Sequence, residues 1–162
     1  MASERSASAD ATGRVARGGG VPPRAVTVEA RENRAVHRQI SPSSIAPPAA
    51  RYAHAVLTHA AERWLHTSGV VPTRPDGTVP DPIGDQAEVV WANIGAMLVE
   101  AGMVPSDIVS VTTYAVVGHP LADVMAARDR FLDGHFAAST LVTVPALARP
   151  EWKMEIAIVA AS

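Results

Sequence analysis

Cysteine is absent from the chain, which excludes a disulfide scaffold, thiolate catalysis and cysteine-ligated zinc. A cysteine-free chain fits a reducing cytoplasm, the expected location. Net charge is nearly absent too: 14 Lys and Arg against 16 Asp and Glu leave a formal charge of -2, with no basic block. Nucleic acid, whose phosphates demand a cationic surface, is therefore not an expected partner. No apolar run approaches the length of a membrane span, and the first residues lack the apolar core of a secretory signal. No membrane partner is expected.

What is present is enough apolar sequence for one core, 48% of 162 residues. Residues 1–25, rich in Ser, Ala, Arg, Gly and Pro, have little to bury and are expected to form a disordered tail. Residues 26–162 are expected to form a single domain. Within it, Val36 to Ile40 reads as a strand, and Tyr52 to Thr58 with Arg63 to Ser68 reads as a hairpin. Pro75, Asp76 and Gly77 supply turn chemistry. Asp85 and Glu88 form a capping-box pattern ahead of Val90, Trp91, Ile94, Met97, Leu98 and Ala101, a helical stripe that Gly102 and Pro105 end.

Asp107 to Val116, dense in β-branched residues, reads as a central strand, and Pro120 opens a second helix that Gly134 stops. Ser139 to Val144 and Trp152 to Ala160 read as two adjacent closing strands. The fold class is α+β in the order βββαβαββ, two helices on one face of a mixed sheet. The open face, assigned Ser139, Leu141, Ala157 and Val159, is apolar enough to expect self-association.

Most chemical motifs fail on spacing. His54 and His66, placed across the expected hairpin, lack a third ligand, so no metal is expected. Gly18 to Gly20 lack the Lys-Ser/Thr of a phosphate loop, and Ser68 and Ser139 sit in no nucleophile elbow. Trp91 and Met97 fit a core stripe. Glu155 stands out. On a strand where Met154, Ile156 and Ile158 share one face, it falls on the other, and an acid there must be solvated, paired or used.

Several segments taken together resemble the RidA family of reactive intermediate deaminases, also called YjgF. They are "APPAARYAHAV", "TSGVVP", "DQAEVVWANIGAMLVEAGM", "DIVSVTTY", "ASTLVTVPAL" and "MEIAIVA", in the family's order. The resemblance covers roughly Val36 to Ala160 and implies a chorismate-mutase-like six-stranded sheet and a homotrimer with small-molecule pockets between subunits. It further implies hydrolysis of enamines or imines without a cofactor. Glu155 then handles water, Tyr52 orients the ligand, and Ser68 and Gly69 form the turn beside it.

Four family positions depart from the pattern. Ser139 stands for the arginine that clamps a substrate carboxylate, Leu141 for a cysteine, Val70 for a glutamine and Met125 for an asparagine. Losing the guanidinium removes a contact worth about 1.5 to 3 kcal/mol and argues against a generic 2-imino acid substrate. Arg51, before the tyrosine, and Arg149 are replacement cations to weigh. The alternative to an enzyme is a binding or regulatory trimer that kept the scaffold.

Overall fold

In the computed structural model, residues 36–162 are described; the expected tail and the domain's first ten residues lie outside them. The strands are β1 (Val36–Ile40), β2 (Ala55–His59), β3 (Trp64–His66), β4 (Ile108–Val116), β5 (Ala138–Val144) and β6 (Met154–Ala161). The helices are α1 (Ile83–Glu100) and α2 (Leu121–Leu132), with a 3-10 turn at Pro105–Asp107. The expected order of six strands and two helices is the one the chain adopts.

The strands divide into a β1-β2 ribbon and a four-stranded sheet ordered β3-β6-β4-β5. A single parallel bridge, Ala53 to Ala138, joins the approach to β2 to the edge strand β5. Only β4 and β5 run parallel, which requires the crossover that α2 provides.

Two expected pairings are corrected. Tyr52 to Thr58 and Arg63 to Ser68 do not form a hairpin: β2 pairs antiparallel with β1, and β3 with β6. Between them Ala60 adopts φ 55, turning the chain out of the ribbon. The carboxy terminus then captures it, Glu62 and Arg63 each donating an amide hydrogen to the Ser162 carbonyl at 2.9 Å. The closing strands β5 and β6 are likewise not neighbours, because β4 runs between them.

Helix α1 starts earlier than its capping pattern suggests. Pro82, at φ -63, occupies the N-cap with no side-chain cap bond, and Ile83 is buried, so the core anchors the first turn. Asp85 falls inside that turn, where its charge still suits the helix dipole. Pro120 is similarly the N-cap of α2 and not its first helical residue. The end of α1 follows expectation: Gly102 (φ +66) donates to Val99 and Met103 to Leu98, a Schellman closure with two buried side chains across it. In α2 the stop comes one residue early, Asp133 already at φ 42 before Gly134 at φ 84.

The core lies between the helices and one face of the sheet. Met154, Ile156 and Ile158 of β6 and Val111 of β4 meet Val90, Trp91, Ile94 and Leu98 of α1. Trp91 stacks on Phe131 of α2 at 4.8 Å between ring centroids. Met97 departs from the expected stripe and is 40% exposed. The turn at Pro75 to Gly77 forms as expected. Thr78 donates its amide and hydroxyl to Asp76, and these bonds hold that carboxyl below the usual range.

Gln86 is fully buried and completely bonded. Its amide nitrogen donates to the carbonyls of Pro80 (2.7 Å) and Glu151 (2.8 Å), while its oxygen accepts from the Lys153 amide (2.8 Å). One side chain thus ties the loop before α1 to the chain entering β6. Gln86→Leu leaves three backbone groups without partners and should lower stability by about 3 kcal/mol, measurable by urea denaturation.

Candidate functional site

Glu155 sits where the alternation of β6 puts it. Its strand neighbours Met154 and Ile156 are buried, so its carboxylate stands on the open face, opposite Tyr114 of β4. Tyr114 was not singled out from the sequence, because only the β4 to β6 register brings it there. On the other side of β6, the chain after β3 makes a bulge. His66 pairs with Val159 and Val70 with Ile156, so three residues oppose two.

The ladder is firm on both flanks of that bulge. Val70 and Ile156 exchange both backbone bonds at 2.7 and 3.1 Å. Thr67 donates to the Ile158 carbonyl at 3.1 Å, and its hydroxyl accepts from the Ile158 amide at 3.0 Å, standing in for a carbonyl. Ser68 and Gly69 lie between, exposed, and their amide hydrogens have no partner among the described residues.

Gly69 and Glu155 are in direct contact. A methyl group placed on Gly69 would lie 2.5 Å from Oε1 of Glu155 and 2.7 Å from its carboxyl carbon. Only glycine lets the carboxylate come this close to the bulge. The result is an acceptor beside two free donors, a pairing able to hold and polarise a small polar group or water.

The remaining expected residues gather elsewhere. Ser139 and Leu141 stand opposite Val111 and Thr113 of β4, which face the helices, so they lie on the sheet face away from Glu155. This corrects their assignment to the open face, which instead carries Ala138, Thr140, Val142 and Val144 from β5. Ala157 and Val159 are on the open face as expected. Ser139 also registers three residues along β4 from Glu155, about 10 Å by strand rise. One copy of the chain does not bring these groups together.

Tyr52 belongs to the Ser139 side. The Ala53 amide donates to Ala137 (3.0 Å), fixing Tyr52 near the start of β5. Its hydroxyl accepts from the Ala49 amide at 3.4 Å, and its ring meets His54 edge-on. Arg51 lies over Phe136 at 5.8 Å, with Nε 3.9 Å from Asp129 and 61% of its side chain exposed. Asp129 is more tightly held by the buried Arg128, at 2.7 and 3.0 Å. Met125 is half-buried on α2 one turn before Asp129.

Other expectations are corrected. His54 bonds the Ala46 carbonyl while His66 stacks on Trp64, so the two do not face each other. Arg149 pairs with Glu151 and lies over Trp152, away from both groups. Among the described residues no three His, Asp or Glu converge as a metal site.

Beside the bulge opens a cavity of about 790 Å³ whose lining includes Leu65, Ser68, Gly69, Val70, Met97 and Glu100. The sequence reading reached the turn but missed this wall of α1, whose exposed Met97 looks like a core residue by spacing alone.

The fold is thus α+β, two helices over one face of a mixed sheet, with a bulge against a strand carboxylate. A solved structure of YyfB from Yersinia pestis, described as a Rid family protein of unknown function, superposes with a TM-score of 0.71 at 32% identity, covering 78% of this chain and 98% of that one. For the YjgF gene product of Escherichia coli the values are 0.57, 27%, 76% and 98%. TdcF of Escherichia coli K12, named as a candidate reactive intermediate deaminase, is 30% identical over 99 residues, 59% of this chain and 77% of its own. The sequence model described as endoribonuclease L-PSP matches residues 43–162. The chain belongs to this family, that of RidA and YjgF. No described helix is long and apolar enough to cross a membrane.

The contact at the bulge is testable without an assay. Gly69→Ala should fold with a melting temperature within about 4 °C of the parent, but a crystal structure of the variant should show the Glu155 carboxylate swung away from Ser68.

Proposed function

We propose that the chain is a hydrolase of an enamine or imine that carries no carboxylate, acting as a homotrimer. The observation that supports it best is the Glu155 carboxylate packed on Gly69 beside two unpartnered amides. An imine carbon is already electrophilic, so positioned water and proton transfer supply most of what hydrolysis needs. Glu155 takes a proton from water as its oxygen adds to the carbon, then returns a proton to the nitrogen of the carbinolamine. The C–N bond of the protonated carbinolamine breaks as its hydroxyl passes its proton to Glu155, leaving a carbonyl compound and ammonia or an amine.

The division of the family positions between two faces favours assembly. Tyr52, Ser139, Leu141 and Met125 of one copy then complete the half-site formed by Ser68, Gly69, Val70 and Glu155 of another. Trp64 and Val142, 53% and 41% exposed on the open sheet face, suit burial between copies. In this arrangement Ser139 contributes a hydroxyl where a carboxylate clamp would stand, and Arg51 remains at the rim. Retention in the cytoplasm is part of the same reading.

The changes at Val70, Met125, Ser139 and Leu141 favour a second reading, a ligand-binding trimer without turnover. An endoribonuclease reading draws less support, since the lining of the cavity beside the bulge contains no Lys or Arg to meet phosphates.

Glu155→Gln should lower carbonyl release from enzymatically generated imines by about 10²-fold or more. Its mass by light scattering should stay at about three times 16.9 kDa. Undiminished turnover in the variant would remove Glu155 from the mechanism. A parent protein that is inert to every imine, yet stabilised on heating by its ligand, would establish the binder.

A further inference from the structure

The free amides of Ser68 and Gly69 depend on how the chain just before them leaves the ladder. Thr67 stands where a regular antiparallel strand would exchange both backbone bonds with Ile158, since His66 pairs with Val159 one residue earlier. The first of those bonds is present, the Thr67 amide donating to the Ile158 carbonyl at 3.1 Å. The second is not. The Ile158 amide donates instead to the Thr67 hydroxyl at 3.0 Å, and the Thr67 carbonyl accepts no bond among the described residues.

This exchange of one acceptor for another has a directional consequence. Ile158 is 2% exposed, so its amide requires a partner. In a regular ladder the Thr67 carbonyl would supply it by pointing at β6. The peptide is trans, so the Ser68 amide would then point the opposite way, off the outer edge of the sheet that β3 forms. With the hydroxyl in place, the peptide between Thr67 and Ser68 is released from that orientation. Thr67 is half-buried and β-branched, and its few rotamers keep the oxygen at the amide.

We infer that Thr67 is a positioning residue, whose hydroxyl occupies the Ile158 amide so that the peptide after it turns and presents the Ser68 amide to the bulge, where Glu155 lies against Gly69. A water held there accepts from the Ser68 amide and donates to Glu155. Thr67 itself touches neither water nor substrate. The backbone claim stands on the ladder alone, whereas its effect on turnover rests on the proposed hydrolysis. Placing water governs the reaction of bound substrate and not its binding, so the effect falls on kcat and not on KM.

The test compares Thr67→Val, which keeps the shape and removes the hydroxyl, with Thr67→Ser, which keeps the hydroxyl. In crystal structures of the intact chain, Thr67→Val should turn the carbonyl of position 67 onto the Ile158 amide and the Ser68 amide away from Glu155. Thr67→Ser should keep the parent's arrangement. With an imine that the parent hydrolyses, Thr67→Val should lower kcat by about tenfold or more with KM within about twofold, and Thr67→Ser should stay within about threefold of the parent in both. Thr67→Ala serves as a second variant without the hydroxyl, with the same expectations. An unturned peptide without the hydroxyl, a turned peptide with kcat unchanged, or Thr67→Ser as impaired as Thr67→Val would each overturn the inference. So would failure of both hydroxyl-free variants to fold, which would assign Thr67 to stability alone. If the parent hydrolyses no imine, the structural comparison still decides whether Thr67 turns the peptide, and only the hydrolytic reading falls.

Discussion

The structure depends on β6 being held on both edges at once. Paired with β3 and β4, and with Met154, Ile156 and Ile158 packed under α1, the strand cannot rotate or slip by one residue without emptying the core. That burial, at roughly 1.5 to 3 kcal/mol for each large apolar side chain, far exceeds the cost of leaving one acid half-buried on the opposite side. The orientation of Glu155 is therefore set by its neighbours. Gln86 adds to the constraint by fixing the chain just before β6 begins.

Features governed by local rules were legible in the sequence. The existence of α1 followed from its apolar period, its closure from Gly102, and the outward aim of Glu155 from strand alternation. Features governed by register were not. Leu65 finds β6 and not β2 because Ala160 offers it a buried face, and nothing near Leu65 in sequence says so. Ser139 changes face with a single step of pairing against β4. The bulge arises from a mismatch of one residue between two distant segments and has no local signature beyond a glycine. The individual roles of Tyr52, Ser68, Met125 and Leu141 came from family resemblance, which conveys position along the chain but not which face a position occupies.

The same contrast explains the two clusters of site residues. Half the positions follow the fate of β6 and the bulge, the other half that of β5, α2 and the segment bridged through Ala53. The changed positions fall on both halves, Val70 on the first and Met125, Ser139 and Leu141 on the second. The first half nevertheless keeps its carboxylate and its free amides. Backbone donors persist whatever their own side chains are, whereas Met125, Ser139 and Leu141 alter what the second half presents.

The bulge has a further consequence for how such a protein changes over time. Because it contains one residue more than its partner strand, removal of Ser68 or Gly69 would bring His66 and Val70 into a single continuous register with β6. One of the two free amides would be lost and the sheet would become more regular. Loss of one codon is therefore a short path from a bulged edge to a regular sheet, reached without passing through an unfolded chain.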